Sequence, residues 1–174
     1  MKLPALALLA AIPAALTATP AQADEIFGGL YVHDVDTFLT IAGVESGMDV
    51  QVGWRGEPLT KLRLQQYLFV AVNTAGNTNY AAFGVSRKFG DKVFIRPGLG
   101  IAVHTGSSKR HEIKGNDKLE FGSRVLFEPE LGIGAKINDR TSIEASWVHM
   151  SHATLLSGQN PGIDNFGVRL SFKL

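Results

Sequence analysis

From about residue 25 to the C-terminus, apolar side chains recur at every second position between turns. Period two is the spacing of a β-strand whose two faces meet different surroundings, and it recurs eight times. Near 25–34, Ile26, Leu30 and Val32 alternate with Phe27, Gly29, Tyr31 and His33. Near 45–55, Met48, Val50, Val52 and Trp54 oppose Glu45, Asp49, Gln51 and Arg55. The third strand, near 60–73, sets Leu62, Leu64, Leu68, Val70 and Val72 against Lys61, Arg63 and Gln65. The fourth, near 80–89, sets Phe83 and Val85 against Gly84, Ser86 and Lys88. In the fifth, Val93, Ile95, Leu99, Ile101 and Val103 face away from Lys92, Arg96, Gly98 and Gly100. In the sixth, Phe121, Val125, Phe127, Leu131, Ile133 and Ile137 face away from Glu120, Arg124, Glu128, Glu130 and Lys136. The seventh opposes Ile143, Ala145 and Trp147 to Glu144 and Ser146, and the eighth opposes Phe166, Val168, Leu170, Phe172 and Leu174 to Gly167, Arg169, Ser171 and Lys173.

Such a pattern fits a soluble barrel with an apolar inside, or a membrane barrel with an apolar outside. The charges separate the two. An eight-stranded lumen is just wide enough to be filled by side chains, and Arg96, Arg124, Glu128, Glu130 and Arg169 can pair there. The last strand keeps strict alternation to the final residue, as outer-membrane barrels do. The prediction is an all-β, eight-stranded antiparallel transmembrane β-barrel. Connection lengths orient it, because such barrels have short periplasmic turns and longer outer loops. Residues 56–59, 90–91 and 138–140 form the short set. Residues 36–44, 104–119 and 152–165 form the long one, with 74–79 intermediate. Pro97 and Pro129 each remove a ladder hydrogen bond from a predicted strand, which predicts β-bulges at both positions.

The N-terminus adds the compartment. Lys2, the apolar run from Leu3 to Leu16 and the small-x-small sequence Ala21-Gln22-Ala23 read as a secretory signal peptide cleaved after Ala23. Residues 24–174 then form a single β-barrel domain in the outer membrane of a Gram-negative cell. No stretch of this part is long and apolar enough for a transmembrane helix. With Lys2 removed, basic and acidic residues balance, which argues against nucleic-acid binding. The absence of cysteine excludes disulfides and thiolate chemistry.

Candidate chemistry gathers at the end of the seventh strand. His149 and Ser151 share the parity of Ile143, Ala145 and Trp147 and should project from the lipid face, where neither belongs by default. Residues i and i+2 lie about 7 Å apart on one face of a strand, near enough for a serine to donate to an imidazole. Imidazole accepts and returns a proton near neutrality, which activates a serine hydroxyl. Asp164 precedes the eighth strand on the same outward parity, and antiparallel pairing brings it back beside His149, where it can orient the ring. Rim polarity alone is the competing account of these three residues.

His149-Met150-Ser151-His152-Ala153, followed by Asn160-Pro161-Gly162-Ile163-Asp164, resembles the PagL-type lipid A 3-O-deacylases. That resemblance implies an outer-membrane barrel with a serine-hydrolase triad on its outer wall. Its substrate would be lipid A or lipopolysaccharide, losing an ester-linked 3-hydroxyacyl chain from the 3 position. It implies His149 as general base, Ser151 as nucleophile and Asp164 as acid. Asn160 would be an oxyanion donor and His152 a second one. The family pattern usually reads His-x-Ser-Asn-Ala with a Glu acid, so His152 and Asp164 depart from it. The resemblance implies no cofactor and no metal.

Other residues carry less. His33 reads as a lumen hydrogen-bonding residue. His104 and His111, with Glu112 and Asp117 nearby, have no metal-ligand spacing. Lys109, Arg110, Lys114 and Lys118 read as a solvated loop or as an attraction for lipid A phosphates. Trp54, Trp147 and Tyr80 are candidates for an interfacial belt. The competing functions are a non-catalytic barrel with a structural or adhesion role and a soluble periplasmic lipid carrier. The sequence leaves pairing of barrels into a homodimer open.

Overall fold

The computed structural model describes residues 23–40, 44–59, 61–109, 119–153, 155–156 and 161–174. Apart from Ala23, the predicted signal peptide lies outside them. The strands are β1 (Ala23–Val32), β2 (Met48–Gly56), β3 (Gln65–Asn73), β4 (Tyr80–Ser86), β5 (Val93–His104), β6 (Val125–Lys136), β7 (Thr141–Met150) and β8 (Ile163–Lys173). After a break, β4 resumes as the dipeptide Phe89–Gly90, which pairs with β5. Each strand pairs antiparallel with the next, and β1 pairs with β8. The ladder therefore closes on itself and leaves no edge, which is what a sheet needs to sit in hydrocarbon.

Alternation decides which way each side chain faces. The even positions of β5 from Phe94 to His104 are mostly buried, while Val93, Ile95, Leu99, Ile101 and Val103 are exposed. The exposed set is apolar, so the outer wall is made for lipid. That arrangement removes the basis for a soluble lipid carrier.

The lumen holds the charges. Arg55 binds Glu25 at 2.5 Å and approaches Glu130 at 3.5 Å. Arg96 binds Glu25 at 2.9 Å and Glu144 at 3.3 Å, and Arg169 binds Glu130 at 2.8 Å and Glu144 at 3.1 Å. Three guanidinium groups thus meet three carboxylates in a cross-linked, fully buried network, where an unpaired member would be strongly destabilising. Tyr67 donates to Glu128 above it. A Cβ on Gly100 would stand 2.7 Å from both the Tyr67 Oη and Glu128 Oε2, so a side chain there would collide with this pair. Phe27, Tyr31, Phe69 and Tyr80 fill the remainder.

Three expectations fail locally. β3 starts at Gln65, not near 60, because 61–63 form a turn with Arg63 at φ 53°; Lys61 and Arg63 are exposed there. β6 starts at Val125. Gly122, at φ 75°, breaks the chain between Phe121 and Val125, so parity does not carry across it. Phe121 is consequently buried in the core, while Arg124 is exposed and donates to the carbonyls of His104 and Gly106 at 2.7 Å. Arg55 takes the place in the lumen network that parity gave to Arg124.

Neither proline makes a bulge, since the β5–β6 register runs unshifted from Val93↔Ala135 to Val103↔Val125. Arg87 N–H donates to the Pro97 carbonyl at 3.0 Å, so the missing N–H of Pro97 faces β4 where that strand is already broken. Pro129 lies between the Glu130↔Val148 pair and the Phe127↔Ser151 bridge. It sits opposite His149, and the ladder skips two residues of each strand there, Pro129 and Glu128 against His149 and Met150. Tyr80 is also not a belt residue: it is buried, and its hydroxyl accepts from Asn165 at 3.1 Å.

Candidate active site

Strand β7 delivers the site. Its outward positions run upward through Ile143, Ala145, Trp147, His149 and then Ser151, and the β7–β8 register pairs His149 directly with Asp164. Beyond the gap at Pro129, Ser151 and Phe127 exchange both backbone hydrogen bonds, at 2.7 and 3.1 Å, which pins the Ser151 backbone. The side chains then form one series. Ser151 Oγ lies 2.9 Å from His149 Nε2, and His149 Nδ1 lies 2.8 Å from Asp164 Oδ1. A carboxylate only accepts, so the imidazole proton sits on Nδ1. Nε2 is left to accept from the serine.

The carboxylate is held by more than His149. Trp147 Nε1 donates to the same Oδ1 at 2.7 Å, and the Thr37 hydroxyl donates to Oδ2. Thr37 belongs to the first outer loop, residues 33–47, which is stitched to the start of β8. Val35 N–H donates to the Asp164 carbonyl at 2.8 Å, and Asp34 N–H donates to Asn165 Oδ1 at 3.0 Å. The root of the loop is fixed by His33, which bonds Asp49 at 3.0 Å and Glu45 at 2.9 Å. Burial opposes charge on His33, but those two carboxylates outweigh it and raise its pKa to about 9. Asp34 Oδ2 accepts from the backbone N–H of Val44 and Glu45.

This loop changes the exposure that parity predicts. His149 and Ser151 point outward but are only 7% and 8% exposed, and Asp164 is fully buried. Gly162, at φ 56°, marks the contact: a Cβ there would stand 3.3 Å from His149 Cε1 and 3.2 Å from Thr40 Cγ2. Around the covered site, Phe38 and Leu39 of the first loop and Leu155 and Leu156 of the fourth are exposed. An apolar rim at the outer end of a membrane barrel is suited to the acyl region of a lipid leaflet.

The structure therefore brings His149, Ser151 and Asp164 together. Asn160 lies outside the described residues, as do Arg110, His111, Glu112, Lys114, Asp117 and Lys118. His152, expected as an oxyanion donor, instead bonds the Phe121 carbonyl through Nε2 at 2.7 Å. Its ring anchors the returning third loop in the barrel mouth. The Ser151 N–H is engaged by the Phe127 carbonyl. His33 is a lumen residue as expected, and His104 bonds the Ser123 carbonyl at 2.7 Å. No group of three metal-binding side chains occurs among the described residues. Two contributors escape a parity reading. Trp147 reads as a belt residue although it donates to Asp164, and Thr37 sits in a loop that no periodicity describes.

These features define a class, an outer-membrane β-barrel with a hydrogen-bonded Ser-His-Asp series at its outer rim. The family profile described as PagL, lipid A 3-O-deacylase, matches residues 42–173, and the chain belongs to that family. It is an outer-membrane enzyme that removes the ester-linked acyl chain from the 3 position of lipid A. Among solved structures, the chain resembles the outer-membrane enzyme PagL with a TM-score of 0.62 at 21% identity, covering 86% of this chain and 99% of that one. It also resembles Neisserial surface protein A, with a TM-score of 0.53 at 10% identity over 86% of this chain and 96% of that one. A designed transmembrane β-barrel aligns with a TM-score of 0.50 at 10% identity, over 90% of this chain and 100% of the design. At these identities the structural likenesses speak for the barrel alone. No curated protein matches the chain in sequence.

Proposed function

We propose that this deacylase is a serine esterase in which Ser151 is the nucleophile, His149 the general base and Asp164 the acid that orients the imidazole. The observation that carries this is the unbroken series from Ser151 Oγ through both nitrogens of His149 to a buried carboxylate. Ser151 Oγ attacks the ester carbonyl of the 3-linked chain while its proton passes to His149 Nε2. The carbonyl oxygen becomes an oxyanion, and the buried Asp164 carboxylate balances the imidazolium. The C–O bond to the sugar then breaks, and Nε2 returns the proton to the sugar oxygen as the hydroxyl leaves. Water, deprotonated by His149, attacks the acyl-serine. That bond breaks, Ser151 regains its proton and the hydroxy fatty acid is released.

Asn160 is the donor we assign to the oxyanion, together with backbone N–H groups of the fourth loop. His152 contributes by holding the third loop against the segment that carries Ser151. The apolar rim of Phe38, Leu39, Leu155 and Leu156 supports docking of lipid A from the outer leaflet. No step needs a cofactor.

The test is expression of the wild-type chain and Ser151→Ala in a Gram-negative host without such an enzyme, followed by mass spectrometry of lipid A. Loss of one hydroxyacyl group with the wild type alone supports the assignment. Equal deacylation by both, with both assembled in the outer membrane, overturns the role of Ser151.

A further inference from the structure

Two side chains outside the proposed triad touch its acid, and neither follows from the reaction itself. A carboxylate offers about four lone-pair sites, and a buried one is mobile about its terminal torsion unless several are filled. On Asp164, Oδ1 accepts from both His149 Nδ1 and Trp147 Nε1, at 2.8 and 2.7 Å, and Oδ2 accepts from Thr37. The Thr37 oxygen also accepts from Leu39 N–H at 3.1 Å, which orients the hydroxyl so that its proton points to Asp164. The carboxylate is thus fixed in its plane by donors on both oxygens. An aspartate has a shorter side chain than a glutamate, and reaches His149 here only because the β7–β8 register places the two residues directly opposite.

From this geometry we infer that Thr37 and Trp147 are positioning residues, acting on His149 through Asp164, so that the first outer loop is part of the active site. The inference rests on the triad reading above. The loop is built for that purpose at both ends. Asp34 and Val35 bind β8 beside the acid, and His33 ties the loop's root to Glu45 and Asp49. Phe38, next to Thr37, is 96% exposed, so the residue most open to the leaflet adjoins the one that touches the acid. Trp147 fits the role because an indole N–H can only donate. Its ring also lies 5.9 Å from His149 and 6.5 Å from Phe166, flanking the imidazole.

The experiment compares Thr37→Val, Thr37→Ser and Trp147→Phe with wild type and Ser151→Ala, using purified barrels and lipid A in mixed micelles. Thr37→Val and Trp147→Phe should each lower kcat by about 10- to 100-fold, the scale of a misplaced catalytic group. KM and the thermal unfolding midpoint should stay close to wild type. Thr37→Ser, which restores the hydroxyl, should recover kcat to within about threefold of wild type. A wild-type kcat in Thr37→Val overturns the inference, as does an effect on KM alone, or equal losses in Thr37→Val and Thr37→Ser. A loss that follows a lowered unfolding midpoint also overturns it, because a purely structural role would give that. If Trp147→Phe does not assemble, the Thr37 pair decides. Activity in Ser151→Ala would remove the triad reading itself, whereas an inactive Ser151→Ala beside a fully active Thr37→Val would remove only this inference.

Discussion

Replacing Asp164 by asparagine isolates one quantity, the charge behind His149. In most triads an amide at this place is free to turn its NH2 toward the imidazole and impose the wrong tautomer. Here Trp147 Nε1 and His149 Nδ1 both aim at Oδ1. An NH2 group there would confront two N–H donors, so the amide oxygen must take that place. The NH2 then falls at Oδ2, against the Thr37 oxygen, which can accept once its own proton swings away. The tautomer is preserved and only the attraction between carboxylate and imidazolium is lost. With Nδ1 and Oδ1 2.8 Å apart, the charge centres lie about 4 Å apart. At an effective dielectric constant of about 20 that attraction is worth about 4 kcal/mol, or roughly a 10³-fold loss of kcat. The assay is release of hydroxy fatty acid from lipid A in mixed micelles by equal amounts of heat-stable, folded barrel. A loss of about 10⁴-fold or more, the size of a tautomer error, would refute the lock by Trp147. A loss below about tenfold would refute the charge argument. Adding Trp147→Phe to Asp164→Asn should release the amide and deepen the loss by about another tenfold.

Gly162→Ala should lower activity well before it lowers assembly. The added methyl meets His149 Cε1 at 3.3 Å and the backbone is left-handed at φ 56°, a conformation costing a non-glycine residue roughly 1–2 kcal/mol; kinetics together with the unfolding midpoint separate the two effects. Raising the pH should loosen the first outer loop. His33 is raised to about 9 from its ordinary 6.5, so its contribution is complete below about 6.5 and disappears as pH climbs through about 9. Glu45 is lowered from 4.5, burial opposing and the His33 hydrogen bond dominating the contributions that favour its charge; its contribution is therefore lost on the acid side, as pH falls below about 4.5. Limited proteolysis of the loop between pH 6 and 10 checks the alkaline limb, which His33→Gln should flatten.

Eight strands, their facing and the pairing of His149 with Asp164 were legible because a closed lipid-facing barrel enforces period two. Wherever one face is polar and the other apolar, a slip of one residue would put charges into hydrocarbon. That logic stops at the strand ends. Phe121 was misplaced because Gly122 resets the parity, and Lys61 and Arg63 because a turn imitates two more strand residues. Pro97 and Pro129 looked like bulges because sequence shows a missing N–H but not which neighbour it faces. At the site, the short His-x-Ser spacing on an outward face was readable, as was the later aspartate. Its burial was not, since it depends on the first loop folding over β7 and β8. Thr37 had no signal at all, and Trp147 carried one that pointed to lipid. His152 was read from its position beside Ser151, whereas its ring follows the inward parity of the strand and meets Phe121.

The lumen network of Arg55, Arg96, Arg169, Glu25, Glu130 and Glu144 fills the middle of the barrel, while the proposed site lies beneath the first loop at the outer rim, on the lipid side of the wall. With Ser151 as the proposed nucleophile on the outer wall, substrate should arrive and products depart sideways, within the plane of the leaflet. Turnover is accordingly a two-dimensional process. The rate should therefore rise with the lateral mobility of lipid A around the barrel, which deacylation measured in bilayers of graded fluidity checks.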